Sequence, residues 1–301
     1  MLILALDSTA VAAGVALTDN ERPLASFQLE NGHTHSRTLL PMVKAVFDVT
    51  GHTVDDVDLF ACSIGPGSFT GVRIGAATIK GLAFGKNKNV LGVSTLAALA
   101  ENLAPINGLI CPVMNARREQ VYTALFRCEN GVMTRLTPDA ALPVAQLEQM
   151  LTERGEPFYL TGDGTELTKN AFKSLAPLPT PALLTAENAV SVARCAYRAA
   201  KGGAVGTDAD LKPLYLRVPQ AERERLAIIG ITYLPLMDIH MLYNYYSTAL
   251  RYLSLLGLLH FLLLMLDYKY TPHYYMDHYH LLPPLSHLSF WLALLLPSLY
   301  Y

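Results

Sequence analysis

An apolar strand that runs straight into a glycine-rich turn and then into a helix admits few folds, and residues 58–85 have that form. DLFACSI (58–64) reads as a buried strand. Gly65, Pro66, Gly67, Ser68, Phe69, Thr70 and Gly71 follow, three glycines and a proline in seven residues. GVRIGAATIKGLAFG (71–85) is then helix-like, with small residues at 71, 75, 76, 77 and 81. Such a turn either cradles a phosphate at the helix start or lets two backbones approach closely. Spacing removes the familiar catalytic versions. A Walker loop requires lysine where Val72 stands, and in a dinucleotide fingerprint the third glycine would come one residue before Gly71. Ser68 is not flanked as a GxSxG nucleophile. The close-packing reading is left.

The flanking segments give this turn its setting. LILALDSTA (2–10), VAAGVALTDN (11–20) and PLASFQLE (23–30) read as three strands, with Asp19 and Asn20 at a hairpin turn. HSRTLLPMVKAVFDVTG (35–51) has apolar residues at helical spacing and Gly51 as its C-cap, with His35 or Ser36 expected to cap its start. NVLGVST (89–95) is strand-like and LAALAENLA (96–104) helical. Residues 108–131 read as a strand, a polar turn and a second strand. Residues 144–154 and 187–201 read as helices, and 158–166 as a strand ending in a glycine turn. This order predicts an α/β, actin-like (ASKHA, ribonuclease-H-like) two-lobed fold, with lobes at 1–104 and 105–226 and an atypical apolar C-terminal tail at 227–301.

The tail is set apart by composition. Residues 227–301 contain no Glu, Gln, Val or Cys, yet hold 12 of the 16 tyrosines and six of the nine histidines. LSLLGLLHFLLLML (253–266) is shorter than the roughly 20 apolar residues that span a bilayer. His273, His278 and His280 lie close in sequence, but low charge beside excess Leu, Tyr and His reads first as translation in a shifted frame, ahead of a membrane or interaction tail or a metal site. The whole chain has formal net charge −2, which gives no electrostatic case for direct nucleic-acid binding. Four scattered cysteines without a CxxC pair, and no secretory leader, fit a reducing cytoplasm.

Smaller motifs offer chemistry of lower specificity. Asp7, Ser8 and Thr9 at the first strand's end could hold a metal-bound phosphate, or could simply close a turn through side-chain-to-backbone bonds. His33 and His35, two apart, do not share one helix face, so a metal pair is not expected there. Arg73 could bind a phosphate or an acidic partner, or form a surface ion pair. Asn115–Glu119, with Arg117 and Arg118, reads as a charged hairpin tip. No HExxH is present, which disfavours a metallopeptidase.

LALDST, HSRTLLPMV, GPGSFTGVRIG, KGLAFG, GVSTL and LKPLYLR (211–217), in that order over about residues 1–225, closely resemble the TsaB family. That family supplies the dimerisation subunit of the bacterial complex that makes tRNA threonylcarbamoyladenosine. The resemblance implies a fold shared with the sister subunit TsaD, and a non-catalytic role that makes TsaD competent to modify N6 of the adenosine next to the anticodon. It implies TsaD and a TsaE-type ATPase as partners, tRNA only indirectly, a homodimer when TsaD is missing, and no cofactor. The sister family's metal-binding His-xxx-His pair matches Thr95 and Leu99, so the resemblance implies no metal site; its second-lobe glycine segment is only faintly echoed by Gly162-Asp163-Gly164. Asp7, Ser8 and Thr9 would then be a vestigial phosphate site, and Gly65, Pro66, Gly67, Ser68, Gly71 and Arg73 a structural motif. The partner surface would draw on Leu39, Val43, Val46, Ile74, Ala77, Thr78, Gly81 and Leu82, in a four-helix bundle with TsaD. The small residues Gly75, Ala76, Ala77 and Gly81 would let the partner helix come close. An actin-like ATPase or small-molecule kinase is the alternative.

Overall fold

The computed structural model describes residues 1–30 and 34–217; His33 and the tail from 227 lie outside them. The described residues form one compact unit. It is built on two sheets. The first holds β1 (Leu2–Asp7), β2 (Ala13–Asp19), β3 (Arg22–Leu29), β4 (Leu59–Ser63) and β5 (Asn89–Val93), in the order β3-β2-β1-β4-β5. β1 to β3 form an antiparallel meander, and β1, β4 and β5 run parallel. This is the order of a ribonuclease-H-like, actin-type lobe, and the chain has the α/β fold its sequence predicts.

β1 is apolar from Leu2 to Leu6 because both of its faces are covered. Leu4 and Leu6 face α1 (His35–Thr50) and α2 (Phe69–Ala83), in a core shared with Val15, Leu17, Phe60 and Ile79. Ile3 and Ala5 point the other way and join Leu59, Ala61, Val192, Ala193 and Ala196. The last three belong to α6 (Ala189–Lys201), which follows the second sheet in sequence and returns to cover the first. A boundary near residue 104 therefore divides the sheets but not the helices that cover them.

The second sheet centres on β6 (Gly108–Asn115). It adds β7 (Gln120–Thr123), β8 (Phe126–Glu129), β9 (Val132–Arg135) and β10 (Ala140–Pro143) in antiparallel pairings, and β11 (Phe158–Thr161) in parallel. One face packs on α4 (Val144–Arg154) through Leu147 and Leu151. The other packs on α3 (Thr95–Glu101), where Leu96 and Leu99 meet Ile110, Met114 and Phe126. α5 (Thr165–Ala171) follows β11.

α1 begins one residue earlier than a His35 cap requires and two earlier than a Ser36 cap requires. Thr34 occupies the N-cap, in extended conformation and without a side-chain bond. The His35 ring instead reaches back to the Ala10 carbonyl at 2.8 Å. At the other end Gly51 has φ 71°, left-handed as a C-cap glycine should be, and its amide bonds the Phe47 carbonyl. Among the described residues no helix is long and apolar enough to cross a membrane.

Candidate functional site

The glycine turn is pinched from three sides, all within this chain. Against the β1–β2 turn, the Ser68 amide donates to the Thr9 carbonyl at 2.6 Å and Ser8 Oγ donates to the Gly71 carbonyl at 2.8 Å. A Cβ on Gly71 would overlap the Ser8 carbonyl oxygen, and one on Gly75 would lie 2.6 Å from Ser8 Oγ. On the second side, residues 205–217 form a strap along the sheet end. Leu214 N donates to the Ile64 carbonyl at 2.7 Å, and a Cβ on Gly65 would lie 2.5 Å from the Leu214 carbonyl oxygen. On the third, the Thr95 amide donates to the Gly65 carbonyl at 2.9 Å. Ser68 caps α2, its Oγ accepting from Gly71 N at 3.2 Å.

The β1–β2 turn is closed by its own side chains. Asp7 Oδ1 accepts from the Thr9 amide at 2.9 Å and from Thr9 Oγ1 at 2.7 Å, while Ser63 Oγ donates to Asp7 Oδ2. Asp7, Ser8 and Thr9 are all buried. Burial pushes the Asp7 carboxyl up, and the bonds from Ser63 and Thr9 only partly offset it. Both hydroxyls thus bind within the turn and its neighbours, so a phosphate would have to break these bonds to enter.

Facing this turn the chain stores more acid. Glu187, 4% exposed, has its carboxyl pushed up to about 8, first by burial and next by the charge of Asp7; its Oε1 has no hydrogen-bond partner among the described residues. Asp163, in the glycine turn after β11, is raised by burial too, and its Oδ1 accepts from Asn115 N at 3.0 Å. Gly164 N donates to the Val113 carbonyl at 3.0 Å, so this second glycine turn also packs on backbone. Thr95 and Leu99 are both fully buried on α3. Among the described residues, no group of three or more His, Cys, Asp or Glu side chains is placed to hold a metal ion. The sequence reading missed Glu187, whose only signal is an acid just ahead of an amphipathic helix.

The residues expected at a partner surface divide between two sides of the helix pair. Leu39, Val43 and Val46 lie in the core beneath α1, 1%, 4% and 0% exposed, and so correct the expectation that they line the surface. Ile74, Thr78 and Leu82 are half-buried, while Ala77 and Gly81 are exposed. Three large apolar side chains that the sequence reading did not single out stand further out: Leu40 at 54%, Val49 at 66% and Phe84 at 77% exposed. Helical phase alone could have found Leu40, next to Leu39 on the rim of the same stripe.

At the hairpin tip, Arg117, Arg118 and Glu119 all adopt left-handed backbone, with φ of 61°, 54° and 55°. The arch is held by Arg117 N on Asn115 Oδ1, by Val144 N on the Glu119 carbonyl, and by Arg217 Nη1 on the Ala116 carbonyl.

The sheet order, the two packed glycine turns and the returning helix define an actin-type α/β scaffold, and comparison with known proteins narrows the class. Residues 30–208 match the family described as "TsaD: tRNA N6-adenosine threonylcarbamoyltransferase". Two relatives are described as the tRNA threonylcarbamoyladenosine biosynthesis protein TsaB. That of Bacillus subtilis is 33% identical over 175 residues, covering 58% of this chain and 76% of the relative. That of Escherichia coli is 34% identical over 167 residues, 54% and 72%. The solved structure of YeaZ from Pseudomonas aeruginosa superposes with a TM-score of 0.62 at 30% identity, over 71% of this chain and 99% of that one. Within the wider TsaD group, the chain belongs to the TsaB family.

Proposed function

We propose that this chain acts in tRNA threonylcarbamoyladenosine biosynthesis as a non-catalytic subunit that binds and activates a TsaD-type transferase. The observation that carries the reading is the outer face of α1 and α2. Ala77 and Gly81 stand exposed along α2 with Phe84 just past its C-terminal end, on the side away from its buried stripe, a small-residue and apolar surface where a second helix pair could settle closely. The self-bonded Asp7–Thr9 turn supports a non-catalytic role, because phosphoryl or acyl transfer needs donors free to meet developing charge. A cytoplasmic complex that also takes up a TsaE-type ATPase, and a homodimer through the same face when TsaD is missing, extend this proposal. The test is co-purification of the full chain with the TsaD-type protein of the same organism, followed by tRNA modification with and without it. Binding and restored modification are expected. A folded chain that does not bind, or that hydrolyses ATP alone, would overturn the reading in favour of an actin-like ATPase.

A further inference from the structure

Arg73 is held unusually firmly for an exposed arginine. Its guanidinium carbon lies 3.7 Å from the centroid of the Phe69 ring and 5.7 Å from that of Tyr215. Its Nε donates to Tyr215 Oη at 2.8 Å. The two rings are themselves packed, with centroids 5.0 Å apart. One face and one edge of the guanidinium are therefore fixed, by one residue a helical turn back on α2 and by another on the strap. The two Nη groups have no hydrogen bond or ion pair among the described residues. A fork with its plane already set loses little side-chain entropy on gripping a planar anion, which is the geometry in which arginine surpasses lysine.

The surroundings say which anion. α2 contains no acidic residue, and the only one on α1, Asp48, is bonded to Lys44 at 2.5 Å. Arg37 and Arg73 are exposed on these helices without an ion-pair partner among the described residues. The outward face is thus positive as well as apolar. Phe84, exposed on the same side of α2 as Arg73, would be poorly matched to a hydrated sugar-phosphate backbone but suits a protein surface. We infer that Arg73 is an anchor for a carboxylate on the protein partner, gripping it through both Nη groups at the N-terminal end of α2. This rests on the proposed binding of a TsaD-type subunit, and names the charge that subunit must present there.

The experiment is calorimetric titration of the full chain with the TsaD-type protein of the same organism, at low and high salt. The variants are Arg73→Gln, Arg73→Lys and Tyr215→Phe, with thermal melting as the control for folding. Arg73→Gln is expected to weaken binding about tenfold or more at low salt and to flatten the salt dependence, and Arg73→Lys to recover only part of the loss. Tyr215→Phe removes the strap's hold but keeps the charge, and is expected to cost less than about threefold. Unchanged affinity in Arg73→Gln would overturn the inference. So would a Tyr215→Phe loss as large as that of Arg73→Gln, which would make the arginine a fastener for the strap. A loss of affinity for a short RNA with partner affinity intact would overturn it in favour of phosphate. If the wild-type chain does not bind, the functional reading fails first and the inference falls with it.

Discussion

Ser8 and Gly71 are locked together across the start of α2. The serine hydroxyl donates to the glycine carbonyl at 2.8 Å, and the Ser8 carbonyl fills the space a Gly71 side chain would need. Gly71→Ala is therefore expected to destabilise the chain by about 3 kcal/mol or more, because backbone, not a flexible side chain, has to move. Urea denaturation of the purified variant checks this, and wild-type stability would refute it.

Gly81, on the same helix, should respond in the opposite sense. Nothing lies within 4 Å of a Cβ built there, and its φ is ordinary. Gly81→Ala is expected to stabilise the isolated chain by about 0.5–1 kcal/mol through helix propensity. If a partner helix packs over this residue, the same variant should bind the TsaD-type subunit more weakly. A gain in melting temperature with a loss in affinity is the expected pair of results.

The two sides of α1 should separate folding from binding. Leu39→Ala removes a core side chain and is expected to cost 2–5 kcal/mol of stability by the usual range for such deletions, roughly. Leu40→Ser and Phe84→Ser, at exposed positions, should change stability by no more than about 0.5 kcal/mol while weakening capture of the partner. Chemical denaturation beside a binding titration distinguishes these outcomes.

Stability should fall as the solution becomes alkaline. Glu187 holds its proton to about pH 8 in the folded chain, against an ordinary value of 4.5. The folded state thus binds the proton more tightly. Its contribution is complete below about 4.5 and is lost as pH rises through 8. Glu187→Gln keeps the group neutral, and should raise stability at pH 8.5 by on the order of 3 kcal/mol and flatten the slope between pH 5 and 8. Asp7 and Asp163, also raised by burial, add slopes of the same sign. Urea midpoints across this range test it; parallel curves for the two proteins would exclude Glu187 as the source.

At the hairpin tip, left-handed backbone costs a non-glycine residue energy. Arg118→Gly is expected to raise stability by about 0.5 kcal/mol, because glycine adopts φ 54° without a Cβ clash. A lowered urea midpoint would mean that the arginine side chain contributes more than its backbone costs.

Much of this was legible in the sequence, because periodicity and punctuation act locally. The helix over 35–50 with Gly51 behind it, the helix over 144–154 and the parallel strand before the glycine turn all follow from spacing and caps. The short strands β9 and β10 were not visible. Each is four residues long and mostly exposed or half-buried, so it carries no full alternation. Periodicity also marks an apolar stripe without saying what covers it, so Leu39, Val43 and Val46 could not be told from a partner surface. The glycine turn is a place of close approach. Its neighbours, Ser8 and Leu214, lie far away in sequence, and no local pattern names them.

The return of α6 has a consequence for how the chain is made. Ile3, Ala5, Leu59 and Ala61 leave the ribosome early, but Val192, Ala193 and Ala196, which cover them, come more than a hundred residues later. Throughout that interval one side of the first sheet is bare hydrocarbon, available to chaperones or to other nascent copies. A stop, cleavage or split-reporter junction anywhere before α6 would leave that side uncovered. Fragments ending there should accumulate as aggregates, whatever the quality of the lobe they contain.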